Sequence, residues 1–97
     1  MADVSFEREA RKNRANQKKH GVSFEEARTA FFDEHARVVA DPEHSDDEDR
    51  FVLLGLSAQL RVLVVCHCYR ASDQVVRIIS ARRADPSEQH QYAEHLP

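Results

Sequence analysis

Residues 50–81 constrain the fold more tightly than any other stretch of the chain. Three runs, 50–57, 60–69 and 74–81, are rich in Val, Leu, Ile and Cys, and only Ala58-Gln59 and residues 70–73 separate them. Connections that short join antiparallel neighbours, since a parallel crossover needs a dozen residues or more. A shorter β-prone run, 36–40, stops at Asp41-Pro42, where proline cannot continue a ladder. The spacing therefore predicts a four-stranded antiparallel meander.

Helix signals flank these strands. Residues 6–19 contain no Gly or Pro and carry a thin apolar stripe of Phe6, Ala10 and Ala15, and His20-Gly21 ends them. Ser23-Phe24-Glu25-Glu26 reads as a capping box, Ser23 accepting from the Glu26 amide while the Glu26 carboxylate reaches back. Val22 and Ala27 would form its staple, and Phe24, Ala27, Ala30 and Phe31 its buried stripe. Asp85-Pro86-Ser87-Glu88 starts a third helix running to about His95. With no repeat and no linker, residues 1–97 read as one α+β domain: two N-terminal helices, the sheet, then a C-terminal helix.

Strand alternation assigns faces. In the middle run Val62, Val64, Cys66 and Cys68 share one side, and their uniform apolarity predicts that they lie beneath the helices. Arg61, Leu63, Val65, His67 and Tyr69 share the other. In the last run Val76, Ile78 and Ser80 oppose Val75, Arg77, Ile79 and Ala81. One exposed face is thus expected to display Arg61, His67 and Arg77.

Charge is segregated along the chain. The net charge is −3, yet residues 41–49 carry −6 while residues 50–84 hold six arginines against Asp73 alone. The arginine-rich half is the sheet half, which points to an anionic partner. The acidic stretch 41–49 lacks the spaced ligands and glycine of a calcium loop and reads as a solvated surface loop. Cys66-His67-Cys68 does not read as a zinc site, because His67 points away from the two cysteines. Two cysteines make no disulfide framework, and no Gly-rich phosphate loop or dinucleotide fingerprint is present. No metal or cofactor is expected. The apolar runs are too short to span a membrane, and no secretory signal is visible, so a cytoplasmic location is expected.

The ordered set Phe6-Glu7, Lys12, Asn16, Lys19-His20-Gly21-Val22-Ser23-Phe24-Glu25-Glu26-Ala27, Asp41-Pro42, His44-Ser45, Glu48, Arg50, Leu54-Gly55, Ser57, Val64-Val65, Arg70 and Arg77-Ile78-Ile79-Ser80-Ala81-Arg82 resembles the BrnT family of type II toxins, compact relatives of the RelE-like ribonucleases. The resemblance covers nearly the whole chain. It implies a helix pair, a four-stranded antiparallel sheet and a C-terminal helix. It also implies an RNA-cleaving toxin neutralised by a ribbon-helix-helix antitoxin encoded beside it, the two forming a 2:2 complex.

Metal-independent RNA cleavage needs a base for the 2′-hydroxyl, an acid for the leaving oxygen, and cations for the charge building on phosphate. Histidine suits proton transfer near neutral pH, and arginine's rigid fork suits phosphate. His67, Arg61, Arg77, Lys19 and His20 are the candidate catalytic residues, with Arg50, Arg70 and Arg82 as candidate substrate-binding residues. The same residues admit plainer readings: His67 as a hydrogen-bonded core histidine, His20 as a helix cap, Lys18 and Lys19 as solvated charge. The alternative to an enzyme is a catalytically degenerate module that binds protein or RNA.

Overall fold

A computed structural model describes residues 4–41, 43, 48–70 and 74–97. Most of the acidic loop, with Pro42, His44 and Ser45, and most of the turn after Arg70 therefore lie outside the described residues. The elements run β1 (Ser5–Phe6), α1 (Ala10–His20), α2 (Phe24–Ala30), β2 (Arg37–Ala40), β3 (Arg50–Leu56), β4 (Val62–Arg70), β5 (Val75–Arg83) and α3 (Pro86–Glu94). The sheet order is β1-β5-β4-β3-β2.

The antiparallel meander β2 to β5 forms as expected. The sheet is nonetheless five-stranded and mixed, because Ser5-Phe6 pairs parallel with Val75-Val76. This corrects two expectations, the four-stranded sheet and a first helix beginning at Phe6. Phe6 packs edge-on against Phe31, ring centroids 5.3 Å apart, and the Glu7 N–H donates to Val76 O at 2.9 Å. Those contacts hold the segment extended, and α1 starts only at Ala10.

Polar side chains dock α1, whose apolar stripe is too thin to do so. Buried Asn16 donates through Nδ2 to Val22 O and Ala81 O, both at 2.8 Å, and accepts from the Ala81 N–H at 3.1 Å. Asn13 Oδ1 accepts from the Phe24 N–H at 2.8 Å, satisfying one of the orphan donors that open α2. Ser23 caps α2 through the Glu26 N–H at 3.0 Å, but the Glu26 carboxylate turns inward instead of back to the cap. The box at Asp85 and Glu88 is complete in both directions. Asp33 ties the end of α2 to the rest: its Oδ2 accepts from the Leu56 N–H at 2.8 Å and from the Tyr92 hydroxyl of α3 at 2.6 Å.

The core lies between α1–α2 and one sheet face. Val22, Phe24, Ala27 and Ala30 pack there on Leu53, Leu63, Val65, Val76, Ile78 and Ala81. Gly55 permits the close approach of α2, since a Cβ there would sit 2.9 Å from Ala30 O. The two faces of β4 are therefore reversed from expectation. The row Leu63, Val65 and His67 is fully buried under α1 and α2, while Val62, Val64, Cys66 and Cys68 lie on the face toward α3, with Val64 and Cys68 buried there and Val62 and Cys66 half-buried. The mixed row is buried because its polar members find internal partners, removing the usual cost of burying them.

A register shift between Cys66 and His67, whose partners are Ser80 and Ile78, leaves Ile79 as an extra residue in β5. A bulge of this kind turns the following side chains over. Ala81 consequently joins Val76 and Ile78 in the core, and Ser80 and Arg82 move to the opposite face. This corrects the expected grouping of Ser80 with Ile78 and of Ala81 with Arg77.

Candidate functional site

On the face away from α1 and α2, cross-strand pairing arranges side chains in rows. The first row holds Arg50, Cys68 and Arg77, with Asp41 beside Arg50 through an N–H bond to Arg50 O at 2.8 Å. The second holds Val39, Val52, Cys66 and Ser80, and the third Arg37, Leu54, Val64 and Arg82. α3 covers one flank. The rest opens as a cleft of about 320 Å³ lined by Asp41, Arg50, Val52, Val64, Cys66, Ile79, Ser80 and Arg82.

Arginine charge in this region is held in place. Arg82 makes a bidentate bridge to Glu88 at 2.8 and 2.7 Å, and Glu88 in turn caps α3, so the guanidinium and the helix start form one unit. Arg77 pairs with Glu48, and its buried Nε has no hydrogen-bond partner among the described residues. Burial pushes the Cys66 thiol pKa up, which keeps the thiol protonated.

The other expected residues lie elsewhere. Arg61 is on the opposite side, its guanidinium bound to both oxygens of Glu26, with Nε–Oε2 at 2.9 Å and Nη2 on Oε1, and reaching Gly21 O at 3.3 Å. Glu26 also accepts from the Ser57 hydroxyl at 2.7 Å. The Arg61 hydrogen bond holds the Glu26 carboxyl below its usual range, against the opposing pull of burial. Lys19 and His20 end α1 beside Gly21, where basic groups favour the helix dipole. Arg70 sits at the far end of β4, bridged to Glu7 at 3.2 Å.

His67 is fully buried among Phe31, Phe51 and Tyr69. Its Nδ1 lies 3.1 Å from Val65 O and its Nε2 3.3 Å from the Tyr69 hydroxyl. A carbonyl only accepts, so the proton sits on Nδ1 and Tyr69 donates to Nε2. The expected grouping of Arg61, His67 and Arg77 on one face is thus corrected. Arg61 and His67 serve the packed side, and Arg77 shares the open side with Arg50 and Arg82. Asp41, Cys66 and Ser80 are the described cleft residues with polar or thiol side chains that sequence reasoning did not propose. Register with Arg50 would have pointed to Asp41, whereas Ser80 depends on the bulge.

A pH prediction follows from His67. Burial lowers its pKa from the ordinary 6.5, outweighing the opposing hydrogen bond to Val65. The unfolded chain takes up a proton as pH falls below about 6.5 and the folded chain does not, so stability is full above that pH and declines below it. The carboxylates with lowered pKa, Glu26, Asp33 and Glu88, lose their contributions only below the ordinary carboxylate range. Urea midpoints should therefore drop between about pH 6.5 and 5 in the wild type and drop less in His67→Gln. Equal slopes in the two proteins would refute this.

Among the described residues, no group of three or more His, Cys, Asp or Glu side chains gathers as metal ligands, and no helix is long and apolar enough to cross a membrane.

One sheet packed by two helices on one face, and partly open on the other, defines a small α+β protein with a cleft lined by Arg50, Arg82 and Asp41. The family model described as the ribonuclease toxin BrnT of type II toxin–antitoxin systems matches residues 9–88. The chain therefore belongs to the BrnT family of ribonuclease toxins. The crystal structure of the Brucella abortus ribonuclease toxin BrnT is similar at a TM-score of 0.62 and 20% identity, covering 88% of this chain and 99% of that one. A comparison with curated protein sequences finds no match. Membership of a type II system implies an antitoxin partner.

Proposed function

We propose that this chain is a metal-independent endoribonuclease toxin, in the manner of RelE-like ribonucleases, that cleaves RNA in the cytoplasm and arrests growth. The observation that carries the reading is the placement of Arg50 from β3 with Arg77 and Arg82 from β5 on the one sheet face that α1 and α2 leave uncovered. Fixed cations at a site partly shielded from water stabilise the charge that builds on a phosphate under attack. In this reading Asp41, the carboxylate lining the cleft, takes the 2′-hydroxyl proton. The 2′-oxygen then attacks phosphorus while the 5′-oxygen departs, gaining a proton from water. Arg50 and Arg82 hold the non-bridging oxygens.

The same face is what an antitoxin has to cover. We assign that role to a ribbon-helix-helix protein encoded beside the toxin, dimerising to carry two toxin copies and bringing acidic groups to Arg77 or Arg82. Such charge pairing gives fast, salt-sensitive association. The second reading, a degenerate binding module, is favoured by one observation: among the described residues, no histidine lines the cleft. The test is induction of the chain alone and with its neighbour, paired with purified protein on RNA in the presence of a chelator. Growth arrest relieved by the neighbour, cleavage that survives chelation and a 2:2 complex are expected. RNA binding without cleavage would establish the second reading, and a one-to-one complex would refute the stoichiometry.

A further inference from the structure

The arginine cleft does not end at Arg82. It continues into a groove of about 110 Å³ between the β2–β3 edge and α3, floored by Val39, Val52, Leu54 and Val64 and rimmed by Arg37 and Gln91. Val52 and Val64 belong to both hollows. The Arg82–Glu88 bridge stands between them, Arg82 lining the cleft and Glu88 the groove. Among the described residues neither Arg37 nor Gln91 makes a side-chain hydrogen bond or ion pair, so their donors and the Gln91 carbonyl are open to a ligand. An apolar floor sized for one planar ring, with a few polar groups at its rim, is the usual make-up of a small-molecule subsite.

We infer that this groove holds one nucleobase of the RNA, next to the phosphate gripped by Arg50 and Arg82, and that Arg37 and Gln91 read its edge. The inference rests on the ribonuclease reading and deepens it, since it makes the groove the source of any sequence preference in cleavage. The ring's faces lie against the aliphatic floor. A guanidinium and a carboxamide at the rim supply both donors and an acceptor, so bases with different edge patterns are told apart. A protein segment is the less suitable occupant, because the groove holds only about 110 Å³ and shares Val52 and Val64 with the cleft that Arg50 and Arg82 line.

The test uses the intact chain with labelled Val and Leu methyls, titrated with ribose 3-phosphate and with each nucleoside 3′-monophosphate. The methyls of Val39, Val52, Leu54 and Val64 should shift with nucleotides and not with ribose phosphate. At least one nucleotide should bind roughly tenfold more tightly, equivalent to ~1.4 kcal/mol. Val39→Trp, at an exposed edge position where the fold tolerates bulk, should abolish the advantage of nucleotide over ribose phosphate, and Gln91→Ala should change the order of the bases. Equal binding of nucleotides and ribose phosphate, with the groove methyls unmoved, would overturn the groove while leaving the cleft intact. Failure of every phosphate compound to bind would instead overturn the ribonuclease reading, and the groove with it. Movement of these methyls by the antitoxin and by no nucleotide would make the groove a protein anchor and refute the inference.

Discussion

Replacing Arg61 with alanine is expected to lower the unfolding free energy by about 3 kcal/mol, a large share of the ~5–15 kcal/mol that holds a domain folded. Its partner Glu26 has a side chain only 2% exposed, and the substitution leaves a buried carboxylate whose remaining side-chain donor is Ser57. The guanidinium itself is 28% exposed, so water reaches the vacated site and the loss falls at the low end for a broken buried pair. The double variant Arg61→Ala, Glu26→Gln should recover part of the loss, because a neutral amide is cheaper to bury than a carboxylate. Urea titration measures both. A loss under ~1 kcal/mol for the single variant, within the range of surface ion pairs, would show that the pair is not structural. Protein that remains folded should still bind RNA, since Arg61 lies across the sheet from the cleft.

The second large effect is expected at the cleft. In the proposed reading Arg50→Ala and Arg82→Ala should each remove a charge-assisted phosphate contact worth ~1.5–3 kcal/mol, and together reduce kcat/KM by roughly 10²- to 10⁴-fold for independent contacts. Stability should change little. The Arg82 side chain is 42% exposed, where an ion pair contributes about 1 kcal/mol or less, and Glu88 still caps α3 through the Asp85 N–H at 2.9 Å. Denaturation curves close to wild type alongside lost cleavage are the expected outcome. Cleavage within about threefold of wild type in the double variant would remove these arginines from the site.

Much of the fold was legible in the sequence. The strands of the meander, the Ser23 cap and the Asp85 box are local, so a few residues specify each of them. What was not legible depends on distant partners. β1 is two residues long and exists because β5 and the Phe6–Phe31 contact hold it; two residues carry no periodicity. Glu26 looked like half of a capping box, and its true partner is 35 residues away at Arg61. The reversal of faces had the same origin. Arg61, His67 and Tyr69 made one row look wet, but the first two find buried partners inside the molecule. The Ile79 bulge, with no glycine or local signal, then carried Ser80 and Arg82 into the cleft. Strand alternation correctly separated His67 from Cys66 and Cys68. It could not tell which side α1 and α2 would cover.

The proposed ribonuclease handles RNA phosphate on the α3 side of the sheet. Single-turnover cleavage of one RNA by Arg50→Ala/Arg82→Ala and by Lys19→Ala/His20→Ala, both shown folded by circular dichroism, tests this directly. The Lys19 and His20 pair ends α1 on the opposite side, next to Arg61. The arginine variant should lose cleavage, and the Lys19/His20 variant should keep it within a few-fold of wild type. Loss in the Lys19/His20 variant with cleavage retained in the arginine variant would contradict this placement and move the active site to the end of α1.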